Sequence, residues 1–308
     1  MSKKIIMTGA TGLIGTNLAK ALKARGYEII VFTRDADKGR SRLPSAQNYV
    51  EWDYHKPEKW KGYLEDAYAV IHLAGANLAG KRFTDSYKKK VRDSRIISTR
   101  NIANAIAATN RKPEVFLCAS GINVYGDSAD MVLTEDSAPG NDFLAELCKE
   151  WEEEASKVEK SGTRWVSIRT SPVLSTQDAV LKKLLPLFKL YVGASLGSGK
   201  QWFSWIHIDD IVNTYIHSIE NEAVNGPVNA SAPNPVIMDE FAEQLGDVLH
   251  RPVFFRVPKL VMKAMIGESA DFITASLRVL PEKLEKSGFQ FSFPLLKNAL
   301  SDAITNKK

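Results

Sequence analysis

The stretch Ile5-Ile6-Met7-Thr8-Gly9-Ala10-Thr11-Gly12-Leu13-Ile14-Gly15 joins an apolar run to three glycines spaced three apart. It reads as a buried strand, a tight turn and the opening of a helix over Leu13 to about Arg25. Glycine admits backbone angles closed to other residues, and its missing side chain lets a pyrophosphate approach the main chain. The first amides of the helix add the positive end of its dipole. Gly9, Thr11, Gly12, Leu13, Ile14 and Gly15 are therefore expected to hold the diphosphate of a dinucleotide.

The rhythm after the turn extends this reading. Apolar, β-branched runs recur at Glu28 to Thr33, Ala69 to Ala74, Glu114 to Ala119 and Trp165 to Arg169, with a weaker strand at Asn48 to Asp53. Each is short and continuous in hydrophobicity, as in strands covered on both faces. Helical patterns lie between them at Thr84 to Ala108 and Phe143 to Glu159. This alternation predicts an α/β fold with a Rossmann-type, doubly wound parallel sheet over residues 1–170. After Arg169 the punctuation changes to Pro172, Pro186, Gly193, Gly197 and Gly199. Helical runs follow at Ala179 to Tyr191, Ile208 to Ile219, Met238 to Leu249, Lys259 to Ile266 and Phe272 to Lys286. Residues 171–308 are thus expected to form a smaller, mainly helical substrate lobe, with part of 205–222 packed back on the first domain.

Composition excludes several other classes. The 308 residues carry a formal charge of +5, but the basic residues are interleaved with acids, so no nucleic-acid partner is expected. Cys118 and Cys148 offer neither a disulfide framework nor zinc-ligand spacing, and the five histidines form no metal motif. No metal is expected. No apolar run has the length of a membrane span, and no signal-peptide pattern opens the chain, which implies a cytoplasmic protein without a membrane partner. Gly193 to Gln201 has the wrong glycine spacing for a P-loop and lacks its Ser or Thr.

Further motifs carry a family resemblance: His72-Leu73-Ala74-Gly75-Ala76, Asp93-Ser94-Arg95 with Ser98-Thr99-Arg100, Val124-Tyr125-Gly126-Asp127, and Trp202-Phe203-Ser204-Trp205-Ile206-His207. With the glycine turn, the chain resembles the extended and atypical short-chain dehydrogenase/reductases over essentially its whole length. Within them it is similar to the epimerase-family group, whose labels include nucleoside-diphosphate-sugar epimerase-like and cell-division-inhibitor-like. The resemblance implies Asp53 against adenine and Leu73, Ala74 and Gly75 against the adenosine half. Arg34, directly after a strand, stands where an NAD enzyme has an acid on the ribose. A guanidinium there suits a 2′-phosphate, so NADP is expected over NAD.

Enzymes of this class use a tyrosine four residues before a lysine on one helix, and a serine at the end of the preceding strand. The lysine holds the nicotinamide ribose and lowers the phenol pKa, while the tyrosine exchanges the proton that accompanies hydride transfer. Lys149 is taken as that lysine. The matching tyrosine and serine positions are then Ala145 and Gly121, neither of which carries a proton. Ser120 and Tyr125 are the substitutes nearest the expected nicotinamide side, with Asn123 beside them and Ser171 in the same crevice. Trp205 and His207 are candidate substrate contacts. A sugar-nucleotide substrate would require cations, for which Arg82, Arg95, Lys182, Lys183 and Lys200 are available. The expected activity is hydride transfer on a sugar nucleotide or small carbonyl or alcohol, by reduction or epimerisation. The alternative is NADP(H) binding without turnover, as a sensor or interaction protein. The expected partner is a small-molecule substrate, with a homodimer left open.

Overall fold

Seven of the chain's short strands form one parallel sheet in the computed structural model, which describes residues 3–78, 83–177 and 179–306. The strands are β1 (Lys4–Thr8), β2 (Glu28–Thr33), β3 (Asn48–Glu51), β4 (Ala69–His72), β5 (Val115–Gly121), β6 (Arg164–Thr170) and β7 (Gly226–Ala230). Their order is β7-β6-β5-β4-β1-β2-β3. The chain winds outward in both directions from the β1/β4 pair, where Ile5 lies beside Ala69 and Thr8 beside His72. A ligand crevice opens at such a reversal, outside the carboxyl ends of the strands.

Side-chain alternation explains why the sheet is buried on both faces. Ile5, Met7, Ile29, Val31, Val115 and Leu117 join one core, while Ile6, Ile30, Phe32 and Phe116 join the other. The first core is covered by α1 (Leu13–Ala24), the second by α3 (Asp85–Ala107), and α2 (Ala36–Arg42) links β2 to β3. Next along the chain, α4 (Phe143–Ser156) covers the second core, α5 (Ala179–Lys189) enters the later part, and α6 (Ile208–Glu220) returns to cover the first core. Ile208, Ile211, Tyr215 and Ile219 share that core with Ile5 and Leu18. The later part completes itself with α7 (Met238–Leu249), α8 (Lys259–Ile266), α9 (Ser269–Ile273), α10 (Glu282–Lys286) and α11 (Leu296–Thr305). Its own core holds Leu181, Phe188, Trp205, Phe241, Leu245 and Leu300. Among the described residues no helix is long and apolar enough to cross a membrane.

Two features depart from the sequence reading. The run Phe272 to Lys286 is not one helix: α9 stops at Ile273, Arg278–Val279 pairs with Val132–Leu133, and α10 starts after Pro281. Proline lacks the N–H that a continuing helix needs and pushes its predecessor to extended backbone. Strand β7 is also new. It follows Gly226 with Pro227, which reads as a turn, yet an edge strand tolerates proline. Residues after 170 therefore finish the sheet as well as building a second lobe.

Candidate functional site

The glycine turn sits on the β1/β4 reversal. Gly9 has φ +66, and a Cβ there would lie 2.7 Å from the backbone carbon of Leu73 and 2.8 Å from the nitrogen of Ala74. Gly15 is tighter, since its Cβ would meet the Gly9 carbonyl oxygen at 2.5 Å and the Ala10 Cα at 2.6 Å. Gly12 differs: its nearest neighbour would be 3.4 Å away, an ordinary contact. It is the N-cap of α1 with no side-chain cap, so the first-turn amides of Leu13, Ile14 and Gly15 receive no acceptor from a capping side chain. Two glycines thus serve packing, and the third keeps the helix start clear. Thr11 lends its carbonyl to Arg42 Nη1 at 3.0 Å, which ties α2 to the turn.

A buried relay fixes the ends of β1 and β4. Ser98 Oγ donates to the Ser94 carbonyl at 2.7 Å, so it accepts from His72 Nε2–H at 3.0 Å, and His72 Nδ1 accepts from Thr8 Oγ1 at 2.6 Å. The Ala74 N–H donates to the same Thr8 oxygen. This arrangement requires a neutral imidazole. Burial, with the Arg95 charge second, pushes the His72 pKa down to about 3. His72 therefore stabilises the fold above its unfolded pKa of 6.5, and that contribution is lost as pH falls toward 3. Stability measured by urea unfolding should decline between pH 6.5 and 5 with a slope of up to about 1.4 kcal/mol per pH unit. His72→Gln should flatten the slope in that window; an unchanged slope would assign it elsewhere.

At the outer end of β2, Arg34 is exposed and makes no ion pair among the described residues. Its acidic neighbours are engaged: Asp35 caps α2 and pairs with Lys38 at 3.4 Å, and Asp37 pairs with Arg40 at 3.5 Å. Arg42 stands nearby on α2, a cation the sequence reading passed over. Asp53 follows β3, accepts from His55 N–H and pairs with Lys56 at 3.6 Å. Gly75 borders a buried guanidinium, with Arg95 Cζ 3.0 Å from where its Cβ would be.

The expected catalytic residues are arranged differently from the sequence picture. Tyr125 is 3 % exposed, and its hydroxyl accepts from Arg169 Nη1 at 2.9 Å and donates to Asn229 Oδ1 at 2.7 Å. Burial pushes its pKa up to about 12 despite the adjacent guanidinium, the reverse of the lowered phenol expected. Ser120 Oγ donates to Glu152 Oε1 at 2.7 Å. Glu152 also receives Arg169 Nε at 2.9 Å and Nη2 at 2.8 Å, a bidentate buried pair. Ser120 and Tyr125 are thus members of one closed polar network beneath the strand ends.

Helix phase separates Lys149 from the position expected of it. Cys148, not Lys149, faces the end of β5, its sulfur 3.7 Å from where a Gly121 Cβ would lie. Burial pushes that thiol up to about 12. Lys149 is exposed one position round the helix, where it lines a cleft of about 220 Å³ with Glu153, Trp165 and Arg169. Ala145 is fully buried. Asn123 is half-buried on the turn that follows β5, and Ser171 after β6 keeps a buried hydroxyl with no partner among the described residues.

Trp205 and His207 are corrected to structural residues. Both are 0 % exposed. Trp205 fills the core of the later lobe, and His207 caps α6 by accepting from Asp209 N–H while its Nε2 pairs with Asp302 at 3.2 Å. A tryptophan and a histidine in an aromatic run are drawn into the interior by the apolar residues around them. Of the basic candidates, Lys182, Lys183 and Lys200 are exposed, Arg95 is buried, and Arg82 lies outside the described residues.

A model described as "NAD dependent epimerase/dehydratase family" matches residues 5–230. The chain belongs to this family. A second model, "Domain of unknown function (DUF1731)", matches residues 257–303. The chain is 37% identical over 298 residues to the Arabidopsis thaliana "Epimerase family protein SDR39U1 homolog, chloroplastic", covering 96% of this chain and 85% of that one. With Bacillus subtilis "Epimerase family protein YfhF" it shares 34% over 307 residues, 99% of each. A crystal structure of human epimerase family protein SDR39U1 (isoform 2) with NADPH superposes with TM-score 0.88 at 30% identity, covering 98% of this chain and 99% of that one. This epimerase-family chain is therefore an atypical short-chain dehydrogenase/reductase, and its glycine turn and strand order are consistent with that group.

Proposed function

We propose that this epimerase-family protein binds NADP(H) in the crevice at the β1/β4 reversal and uses it for hydride transfer to or from a small carbonyl, alcohol or sugar-nucleotide carbon. The observation that carries the reading is the glycine cradle. Gly9 and Gly15 admit no Cβ, while Gly12 leaves the start of α1 open. The amides of Leu13 to Gly15 would hold the pyrophosphate, and Arg34, free of its acidic neighbours, would pair with the 2′-phosphate. Asp53, Leu73, Ala74 and Gly75 would border the adenosine half, with Asn123 and Ser171 toward the nicotinamide. The human relative, whose structure carries NADPH, supports this choice over NAD. When bound, the cofactor supplies or accepts a hydride at its nicotinamide ring.

Of the chain's own groups, Ser171 offers a buried hydroxyl with no partner among the described residues. Tyr125 and Ser120 hold the ends of β5 and β6 in register through Arg169 and Glu152. A proton for the substrate oxygen then comes from Ser171 or water. The second reading, binding without turnover, is favoured by one observation: Tyr125 is locked in protein hydrogen bonds.

Melting shifts of the purified protein with NADPH and NADH test the cofactor. Wild type should be stabilised more by NADPH, and Arg34→Ala should lose about 10- to 100-fold in NADPH affinity with little change for NADH, the value of a charged hydrogen bond. Equal losses for both dinucleotides would place the 2′-phosphate elsewhere. Consumption of NADPH across a panel of carbonyls and sugar nucleotides separates turnover from binding alone.

A further inference from the structure

Arg95 projects from α3 into the interior beneath the loop that leaves β4. It is 9% exposed, close to Arg169 at 7%. The two buried guanidinium groups are treated in opposite ways. Arg169 is neutralised by both oxygens of Glu152. Arg95 has no carboxylate partner among the described residues, and burial lowers its pKa, with only Cys148, Tyr87 and Cys118 acting in the other direction. Nη1 alone is used, donating to the Ala76 carbonyl at 3.0 Å and the Val91 carbonyl at 3.2 Å. Nε and Nη2 donate to no protein atom among the described residues. The plane lies 5.1 Å over the Trp151 ring, which holds it without discharging it.

Position adds to the charge. Nη1 and Nη2 both lie 3.2 Å from where a Gly75 Cβ would be, so glycine at 75 makes the room the guanidinium occupies. Gly75 follows β4, and Cys148 beside Arg95 faces the end of β5. A cation with no carboxylate partner among the described residues thus lies beneath Gly75, between the ends of β4 and β5. A buried charge without a partner is costly to keep, and an anion supplied by a ligand relieves that cost.

We propose that Arg95, seated under Gly75, is an anion subsite of the crevice that takes a phosphate group of a bound ligand. The group belongs either to the dinucleotide or to a diphosphate-bearing substrate. This inference rests on the crevice being the ligand site, as proposed above.

The test uses the full chain with Arg95→Met, Arg95→Lys and Gly75→Ala. Melting without ligand, NADPH affinity by calorimetry, and the affinity of inorganic pyrophosphate for the protein with and without saturating NADPH are measured on each. Arg95→Met keeps an unbranched apolar stem but removes the guanidinium and its charge, so its ligand-free melting temperature should equal or exceed that of wild type. A loss of at least 10-fold in NADPH affinity assigns the subsite to the dinucleotide. A similar loss for pyrophosphate, with NADPH affinity unchanged, assigns it to the substrate. Arg95→Lys should recover part of either loss, and Gly75→Ala should reproduce it with the charge retained. If Arg95→Met and Gly75→Ala both leave the two affinities at wild-type values, Arg95 only braces the loop and the proposal fails. If wild type binds no NADPH, the cofactor reading fails by itself, and pyrophosphate binding to wild type against Arg95→Met still decides the subsite.

Discussion

Gly15→Ala is expected to abolish dinucleotide binding and to weaken the fold, whereas Gly12→Ala should abolish binding alone. The difference lies in what each added Cβ would meet. At Gly15 it would lie 2.5 Å from the Gly9 oxygen and 2.8 Å from the Ala10 carbonyl carbon, both backbone. No rotamer relieves a backbone clash, so α1 must slide or the turn must open. Overpacking of this kind costs about 1–3 kcal/mol, partly offset by the roughly 1 kcal/mol that alanine gains over glycine in a helix. The net effect is a loss of up to about 2 kcal/mol, or a few degrees in melting temperature for a chain of this size. At Gly12 the added carbon has only an ordinary contact, 3.4 Å away, so stability should be close to wild type. The methyl group nevertheless stands at the N-cap of α1, where the pyrophosphate would approach. Losses above about 100-fold in NADPH affinity correspond to about 2.7 kcal/mol and are expected for both variants. Wild-type affinity in Gly12→Ala would remove the diphosphate from this turn.

Glu152→Ala should be the most damaging single change to stability. It strips two hydrogen bonds from Arg169 and the acceptor of Ser120, all buried. A buried ion pair broken on one side leaves an uncompensated charge, which costs about 3–5 kcal/mol. A drop of roughly 5–8 °C in melting temperature follows for a chain of this length. The double variant Glu152→Leu with Arg169→Met replaces both charges by apolar groups and should recover most of the loss. Urea midpoints of the two variants and of wild type check this. If Glu152→Ala unfolds at the wild-type midpoint, the network does not hold the ends of β5 and β6 together.

Much of this architecture was legible in the residue order. The glycine turn and the β-branched runs specify a parallel sheet because strands buried on both faces cannot alternate with polar residues. Strand β7 escaped notice because its glycine and proline signal a turn, and because Asn229 within it serves a polar network assembled from distant segments. The candidate site was harder for a geometric reason. One residue along a helix is a rotation of about 100°, so the strip that carries Lys149 and the one that carries Cys148 cannot be told apart without knowing which side of α4 meets β5. Trp205 and His207 carry chemistry-bearing groups, but only packing reveals that Phe293 covers the imidazole at 3.9 Å between ring centres. Arg95 is one of five cations available for a substrate phosphate, and nothing in the sequence singles it out. Its burial depends on Gly75 and Trp151, residues far from it in sequence.

The late arrival of β7 has a consequence for how the molecule is made. A ribosome that has delivered residues 1–170 has produced six strands of the sheet, yet β6 still waits for its neighbour and α1 still lacks the apolar side of α6. The dinucleotide half therefore cannot mature as an independent early unit. Its open edge must be protected until residue 230 emerges, and a chain truncated between the two halves should expose an adhesive strand rather than yield a smaller binding domain.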